Sequence, residues 1–415
     1  MTNSSQTTPA KLQGMGKVQF IGMMAALMAL NALAIDIMLP GLQQIGAALG
    51  VENENHRQYV VSAYLFGFGI AQLFYGPISD RFGRRKPLLI GLGIYIVSAI
   101  SVVFVPSFAG LLLLRFTQGI GSAATRVISV SIVRDVYGGR AMAEVMSLIM
   151  MVFMIVPIIA PGTGQLVLFF GDWHLIFVFI AIVGIIVTAW VNKRLPETLD
   201  PADVRPLTAS SILGGFMIVL TNRVALCYTL ASTFIFGALF GFINSAQQVY
   251  VGIYELGVWF PVAFAAVALF MSVSAFLNSR WVGKLGMRRL SHGAVIGFVG
   301  VTFLWLSVQL ISSEPMPFLL FLTFFALAMF LFGLIASNFN SLAMEPLGHV
   351  AGTASSVLGF MGTVGGAIIG ASIGQAFNGT ATPMVAGFFT VSVIGLVFVL
   401  IGERGKLFQP HNPRV

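Results

Sequence analysis

Asp36 is the residue with the clearest chemical potential. It stands in Asn31–Pro40, NALAIDIMLP, inside the first long apolar stretch, while the other thirteen Asp and Glu residues fall at the ends of such stretches or between them. A carboxylate at that depth costs roughly 2.5–3.5 kcal/mol at a helix centre on insertion scales, so it belongs on a protein interior, where it can take and release a proton or hold a cation. Arg115 and Arg126, both within the fourth apolar stretch, are the cations available to it. A facing arginine favours the ionised carboxylate and burial favours the protonated one; competition between them can place a proton site near physiological pH. The alternative is a static ion pair. Arg126 lies eleven residues after Arg115, which is about 20° round the same helix face and roughly 16 Å further along. Gln118 and Ser122 lie near the same stripe, which predicts a polar strip facing something wet. For Arg126 the alternative is snorkelling to a membrane surface.

These residues need a membrane-spanning frame. The 415 residues are 57% hydrophobic and 9% charged, with a mean hydropathy of +0.94; a soluble domain is about a quarter charged. The chain reads as a polytopic membrane protein. Its many apolar stretches of roughly 20 residues exclude a porin-like barrel. Twelve spans can be drawn, at about 18–42, 59–79, 87–105, 108–132, 143–169, 174–192, 224–247, 258–279, 291–311, 317–342, 351–377 and 382–402. Of the 22 Lys and Arg, 19 then fall in the termini and even-numbered loops, which predicts cytoplasmic termini. The net charge of +8 is thereby a matter of topology rather than of nucleic-acid binding. The first span reads as a retained helix, with no clear signal-peptide cleavage site after it. The single cysteine, Cys227, precludes an internal disulfide and offers no metal cluster. Span 1 runs outward and span 4 inward, so Asp36 and Arg115 both fall in the outer half.

The chain divides into a tail (1–17), a six-helix bundle (18–192), a linker (193–223), a second six-helix bundle (224–402) and a tail (403–415). The linker is marked by RLPETLDPADVRP, and its Ser210–Leu220 is apolar enough to lie along a membrane surface. An internal repeat relates the halves: RFGRRKPLL (Arg81–Leu89) and KLGMRRLSH (Lys284–His292) align Gly83 with Gly286 at an offset of 203 residues. The expected fold is an all-α membrane protein with twelve transmembrane helices in two pseudo-symmetric six-helix bundles. Two related halves with a site between them is a transporter plan.

Gly76–Lys86, GPISDRFGRRK, is a tight basic turn in which glycines permit close approach and Asp80 can accept hydrogen bonds. The full pattern G-P-x-S-D-R-x-G-R-R-K resembles the loop 2–3 motif of the major facilitator superfamily. LNALAIDIMLP (Leu30–Pro40), LRFTQG (Leu114–Gly119) and APGTGQ (Ala160–Gln165) resemble the helix 1, helix 4 and helix 5 motifs of twelve-helix drug:proton antiporters. With IVRDVYGGR (Ile132–Arg140) and RLPETL (Arg194–Leu199), the chain is similar over essentially its whole length to the Bcr/CflA family of drug exporters. That resemblance implies a proton-taking role for Asp36 and coupling of Arg115 to it. It implies that Asp80, in the switch motif with Gly76, Arg81, Gly83, Arg84 and Arg85, stabilises one conformation near the start of helix 11. Arg134 and Glu144 would complete a charge network around Asp80. Pro161, Gly162 and Gly164 are implied to shape packing that discourages leak, although the usual G-P-x-x-G-G ends here in Gly164-Gln165.

Two buried arginines and one aspartate leave the assumed cavity at +1, or +2 with Asp36 protonated. Spans 7 to 12 hold no Asp, Glu, Lys or Arg, so neutral or anionic amphiphiles are expected over permanent cations. Candidate cavity residues are Arg126, Gln118, Ser122, Met150, Met154, Phe236, Phe240, Asn244 and Gln247; aromatic and Met surfaces adapt to varied ligands. A lipid-facing or helix-packing place is the simpler reading for any one of the apolar ones, and helix packing for Asn31, about 140° round from Asp36. The expected partners are a drug-like small molecule, protons and the lipid bilayer, with no nucleic acid and a monomeric chain. The expected location is a bacterial inner membrane. No G-x-x-x-x-G-K-[ST] phosphate loop occurs, so no cofactor is expected and a proton gradient is the energy source. The rivals are an exporter of an endogenous metabolite or siderophore and, more remotely, a membrane sensor or enzyme. An enzyme would need clustered His, Asp or Glu, yet His56, His174, His292, His349 and His411 are scattered.

Overall fold

A computed structural model describes residues 14–204, 209–312 and 314–409. Among the described residues, twelve long helices run back and forth. In the first half they are α1 (Lys17–Asp36), α2 (Tyr59–Phe82), α3 (Arg85–Val102), α4 (Phe108–Val136), α5 (Gly139–Phe169) and α6 (His174–Arg194). In the second half they are α7 (Arg223–Gln247), α8 (Phe260–Leu285), α9 (Met287–Ile311), α10 (Phe318–Met344), α11 and α12 (Thr382–Gly402). Helix α11 comprises Ala351–Phe360 and Gly366–Gln375 joined by a π-helical turn at Met361–Gly365. Helices satisfy their own backbone groups, which is what an apolar stretch of this length must do in lipid.

Among the described residues, eleven segments are long and apolar enough to cross a membrane. Helix α4 is the exception among the twelve. Its 29 residues suffice in length, but Arg115, Gln118 and Arg126 dilute its hydropathy. The helix most marked by polar chemistry is therefore the one least suited to lipid, and its neighbours shield it.

Most expected spans match these helices to within four residues. Two do not: α1 ends at Asp36 rather than 42, the chain continuing through a tight turn at Leu39–Gly41 into a short helix, Leu42–Ala48, and α8 runs to Leu285 rather than 279. Three further differences have local causes. Helix α7 continues past Gln247 as a π-helical turn, Gln248–Ile253. Helix α9 starts at Met287 rather than 291, because Gly286 at φ 81° ends α8 and lets the chain re-enter a helix at once. Gly83 does the same between α2 and α3 at φ 87°, so the two copies of the repeat share one backbone geometry. In the linker, Ala209–Thr221 is helical and packs on the first segment of α11, with Phe216 5.7 Å edge-on from Phe360.

Within the halves, α4 packs on α2 and α3, and α7 packs on α11 and α12. The halves join where α2 meets α11 and α5 meets α8. One end of the bundle carries the basic loops and is called the basic end below; the other is the far end.

Candidate functional site

Asp36 is the last residue of α1 and is only 5% exposed. Among the described residues its carboxylate has no ion pair, and no hydrogen bond is made to it. Arg115, fully buried on α4, does not pair with it. The guanidinium instead donates to three acceptors on three helices: Nε to the Val60 carbonyl of α2 (3.2 Å), Nη1 to Gln118 Oε1 (2.6 Å) and Nη2 to the Ala34 carbonyl of α1 (3.0 Å). It also lies 4.4 Å over the Tyr64 ring. The fit depends on glycine: a Cβ at Gly119 would overlap the Tyr64 carbonyl, and one at Gly67 would overlap that of Phe116, so α2 and α4 approach backbone to backbone. The expected coupling of Asp36 to Arg115 is thus not a direct bond between the two side chains. Arg115 holds the end of α1 two residues before Asp36 and leaves the carboxylate free.

The polar strip of α4 is wet at one end only. Gln118 and Ser122 are fully buried, contrary to their expected place on a cavity wall. Gln118 accepts from Arg115, and its Nε2 is a buried donor with no acceptor among the described residues. Ser122 donates to Asn31 Oδ1 (3.3 Å), which also accepts from Tyr64 (3.0 Å). Asn31 is therefore an interhelical tie between α1, α2 and α4, in keeping with its packing role. Arg126 is exposed, 5.9 Å over the ring of the buried Phe68, and has no ion pair among the described residues.

The far end is closed by an uncharged latch that sequence reading missed. Asn55 Nδ2 donates to the carbonyls of Gln375 (3.0 Å) and Phe377 (2.9 Å), and Gln375 Nε2 donates back to the Asn55 carbonyl (2.6 Å). Gln248 Nε2 donates to Asn55 Oδ1 (2.6 Å). Gln58 donates to Gln248 Oε1 and to the Gly374 carbonyl (3.2 Å). One turn deeper, Ser62 donates to Asn244 Oδ1 (3.2 Å), and near mid-helix Gln72 donates to Thr363 (3.0 Å). Asn244 and Gln247, expected on the cavity wall, are buried at this closed end instead. Phe236 and Phe240 are half-buried and mutually packed at 6.2 Å, while Met150 is exposed and Met154 half-buried on α5. The only signal for the latch was an excess of Asn and Gln at one set of helix ends.

At the basic end the charge network differs from expectation. Arg84 is its hub, paired with Asp80 and with Asp135 at the end of α4 (Nε to Oδ2, 2.7 Å). Glu197, after α6, accepts from the backbone N–H groups of Arg84 (2.8 Å) and Arg85 (3.1 Å) at the start of α3, where the helix dipole favours an anion. Burial pushes the Glu197 carboxyl up, but its four backbone N–H donors outweigh this and hold it below the usual carboxylate range. Arg85 donates to Asn192 (2.8 Å to Oδ1). Glu144 lies elsewhere, paired with Lys17 (2.7 Å), and Arg134 and Arg81 are exposed without an ion pair among the described residues. Asp135 fills the place expected of Arg134 and Glu144, because it faces the turn from the last turn of α4. Gly76 lies where a Cβ would come within 3.0 Å of Ser356 on α11. The side chains of 348–353, where a contact from Asp80 to the start of helix 11 would fall, lie outside the described residues. The second half repeats the plan: Arg288 donates to Glu345 (2.8 Å), after α10, and to Glu403 (2.9 Å), after α12.

The α5 element sits against both halves. Pro161 and Gly164 are buried. A Cβ at Gly164 would land on the Ile37 carbonyl, immediately after Asp36, whereas one at Gly162 would sit 3.8 Å from Pro261 of α8.

The sequence profile of the Major Facilitator Superfamily matches residues 20–371. A bicyclomycin resistance protein homolog of Haemophilus influenzae is 32% identical over 386 residues, covering 92% of this chain and 94% of that protein. Multidrug resistance protein D of Escherichia coli is 28% identical, covering 92% and 94%. A chloramphenicol resistance protein of Pseudomonas aeruginosa is 30% identical, covering 91% and 90%. Among solved structures, the xylose transporter XylE of E. coli in a partially occluded inward-open conformation superposes with a TM-score of 0.70 at 13% identity, covering 92% of this chain and 96% of that one. With its helices, its repeated halves and these relatives in place, the chain belongs to the major facilitator superfamily, in its Bcr/CflA drug-resistance family.

Proposed function

We propose that this protein exports small amphipathic, drug-like compounds in exchange for protons, by alternating access between its two six-helix halves. The observation that carries the reading is Asp36: a buried carboxylate with no ion pair or hydrogen bond among the described residues, beside an arginine whose three hydrogen bonds go elsewhere. An unpaired buried charge is costly, and a proton removes it. Protonation and deprotonation of Asp36 therefore change the energy of the interior without breaking the Arg115 tie that holds α1, α2 and α4 together. The names of the relatives, which concern bicyclomycin, chloramphenicol and multidrug resistance, support drug-like substrates.

With the basic end in the cytoplasm of a bacterial inner membrane, the latch closes the outer side and the molecule faces inward. Substrate enters from the cytoplasm or the inner leaflet and meets Arg126. In the outward-facing state Asp36 takes a proton and substrate leaves; inward, Asp36 releases the proton and the site is restored. Proton and substrate then bias one two-state element in opposite senses. The interior charges Asp36, Arg115 and Arg126 leave it net positive, which favours neutral and anionic substrates.

The test is transport into proteoliposomes under an imposed pH gradient, with one neutral, one anionic and one quaternary ammonium compound. Gradient-driven movement of the neutral or anionic compound, lost in Asp36→Asn, is expected. Movement of the quaternary ammonium compound alone, abolished by Asp36→Asn, would overturn the substrate reading.

A further inference from the structure

Away from the proposed transport path, a groove of about 560 Å³ opens on the outer surface of the first half, between α2, α3 and α4. One wall is a stripe on α2 made by Ile70, Phe74, Ile78 and Phe82, spaced four residues apart. Phe74, Phe82 and Ile90 of α3 are exposed. The only charged residue in the lining is Lys86, at the basic end of the groove in the first turn of α3.

From Ile70 to Phe82 the stripe runs roughly 18 Å along α2. That is close to one leaflet of a hydrocarbon core about 30 Å thick. The apolar length thus ends at the level of Lys86, where a lipid head group would sit. The acids nearest in the same turn are already engaged: Asp80 and Asp135 by Arg84, and Glu197 by the amides that open α3. Lys86 itself is exposed and has no ion pair among the described residues. The groove therefore offers an acyl-chain channel capped by an uncompensated cation.

We propose that this groove binds one anionic phospholipid, with an acyl chain along the Ile70–Phe82 stripe and its phosphate on Lys86. Its occupant packs against α2 beside Gly76–Lys86, on the side away from the α2–α11 junction. The chemistry selects a phosphodiester with no compensating ammonium, such as phosphatidylglycerol, over a zwitterionic lipid of the same chains. A single lysine near the membrane surface accounts for about a fivefold preference.

Purified full-length protein, delipidated and mixed with equal phosphatidylglycerol and phosphatidylethanolamine of matched chains, should retain the former about fivefold over the latter by native mass spectrometry. Lys86→Gln should bring the ratio near one while lipid is still retained, and Lys86→Arg should restore the preference. Ile90→Trp, which fills the groove, should lower retention of both lipids. Glycerol 3-phosphate should not compete, because it lacks the chain. Equal retention by the wild type, an unchanged ratio in Lys86→Gln or full competition by glycerol 3-phosphate would each overturn the proposal.

Discussion

Arg115→Lys separates two accounts of the most buried cation among the described residues. If the residue served only to place a positive charge near Asp36, lysine would serve nearly as well. The structure assigns it a different task, because its planar guanidinium reaches the Val60 carbonyl, the Ala34 carbonyl and Gln118 at 2.6–3.2 Å. An ammonium is a point donor on a flexible stem and cannot reproduce that fork. At the ~0.6 kcal/mol that an interhelical hydrogen bond averages in a membrane protein, losing all three costs about 2 kcal/mol. At the ~1.5 kcal/mol lower figure for bonds to charged groups, it costs about 5 kcal/mol. Arg115→Gln should fall in that range, and Arg115→Lys should lose at least half as much. Denaturant-induced unfolding in lipid–detergent micelles, followed by helical circular dichroism, measures both. Wild-type stability in Arg115→Lys beside a large loss in Arg115→Gln would refute the three-helix tie and return the residue to a purely electrostatic role.

The far-end latch yields a kinetic prediction. Asn55→Ala with Gln248→Ala removes four side-chain bonds between the halves, worth about 2 kcal/mol together; a cysteine at Ser62, in a Cys227→Ala background, should then react with a polar maleimide more than tenfold faster. In the α5 element, Gly164→Val should cost roughly 1–3 kcal/mol by overpacking against Ile37 and raise passive proton leak in proteoliposomes, whereas Gly162→Ala, with its Cβ 3.8 Å from Pro261, should be silent in the same assay. Glu197 predicts a pH dependence. Its carboxyl is held below the usual range in the folded state, so its contribution is present above the ordinary carboxylate value of about 4.3 and is lost as pH falls through the lower folded value. The melting-temperature gap between wild type and Glu197→Gln should therefore be widest near neutrality and shrink in acid; a gap that widened in acid would contradict the capping role.

The helices were legible because apolar runs of spanning length have few alternatives. Asp36 was legible for the complementary reason, since an acid within such a run is rare. The repeat was visible in Gly83 and Gly286 because a sharp turn at positive φ requires glycine. Other features depended on which helix faces which, a property no local pattern carries. Asp135 lies beside Glu144 and Arg134 in the same basic region of the sequence, yet only Asp135 faces Arg84. The far-end latch joins residues up to 322 positions apart, and each of them alone reads as an ordinary polar helix end. Periodicity correctly grouped Arg115, Gln118, Ser122 and Arg126 on one side of α4. It could not show that α1 and α2 pack tightly enough to dry the first three.

Drug-induced proton release tests whether Asp36 is the coupling proton site. Detergent-purified wild type and Asp36→Asn would be titrated in weak buffer with a neutral, an anionic and a cationic antibiotic while a pH indicator is followed. Release by the wild type with the neutral or anionic compound, and none by the variant, is expected. Equal release by both proteins would contradict it, placing the proton elsewhere and leaving Asp36 as an unpaired carboxylate at the end of α1.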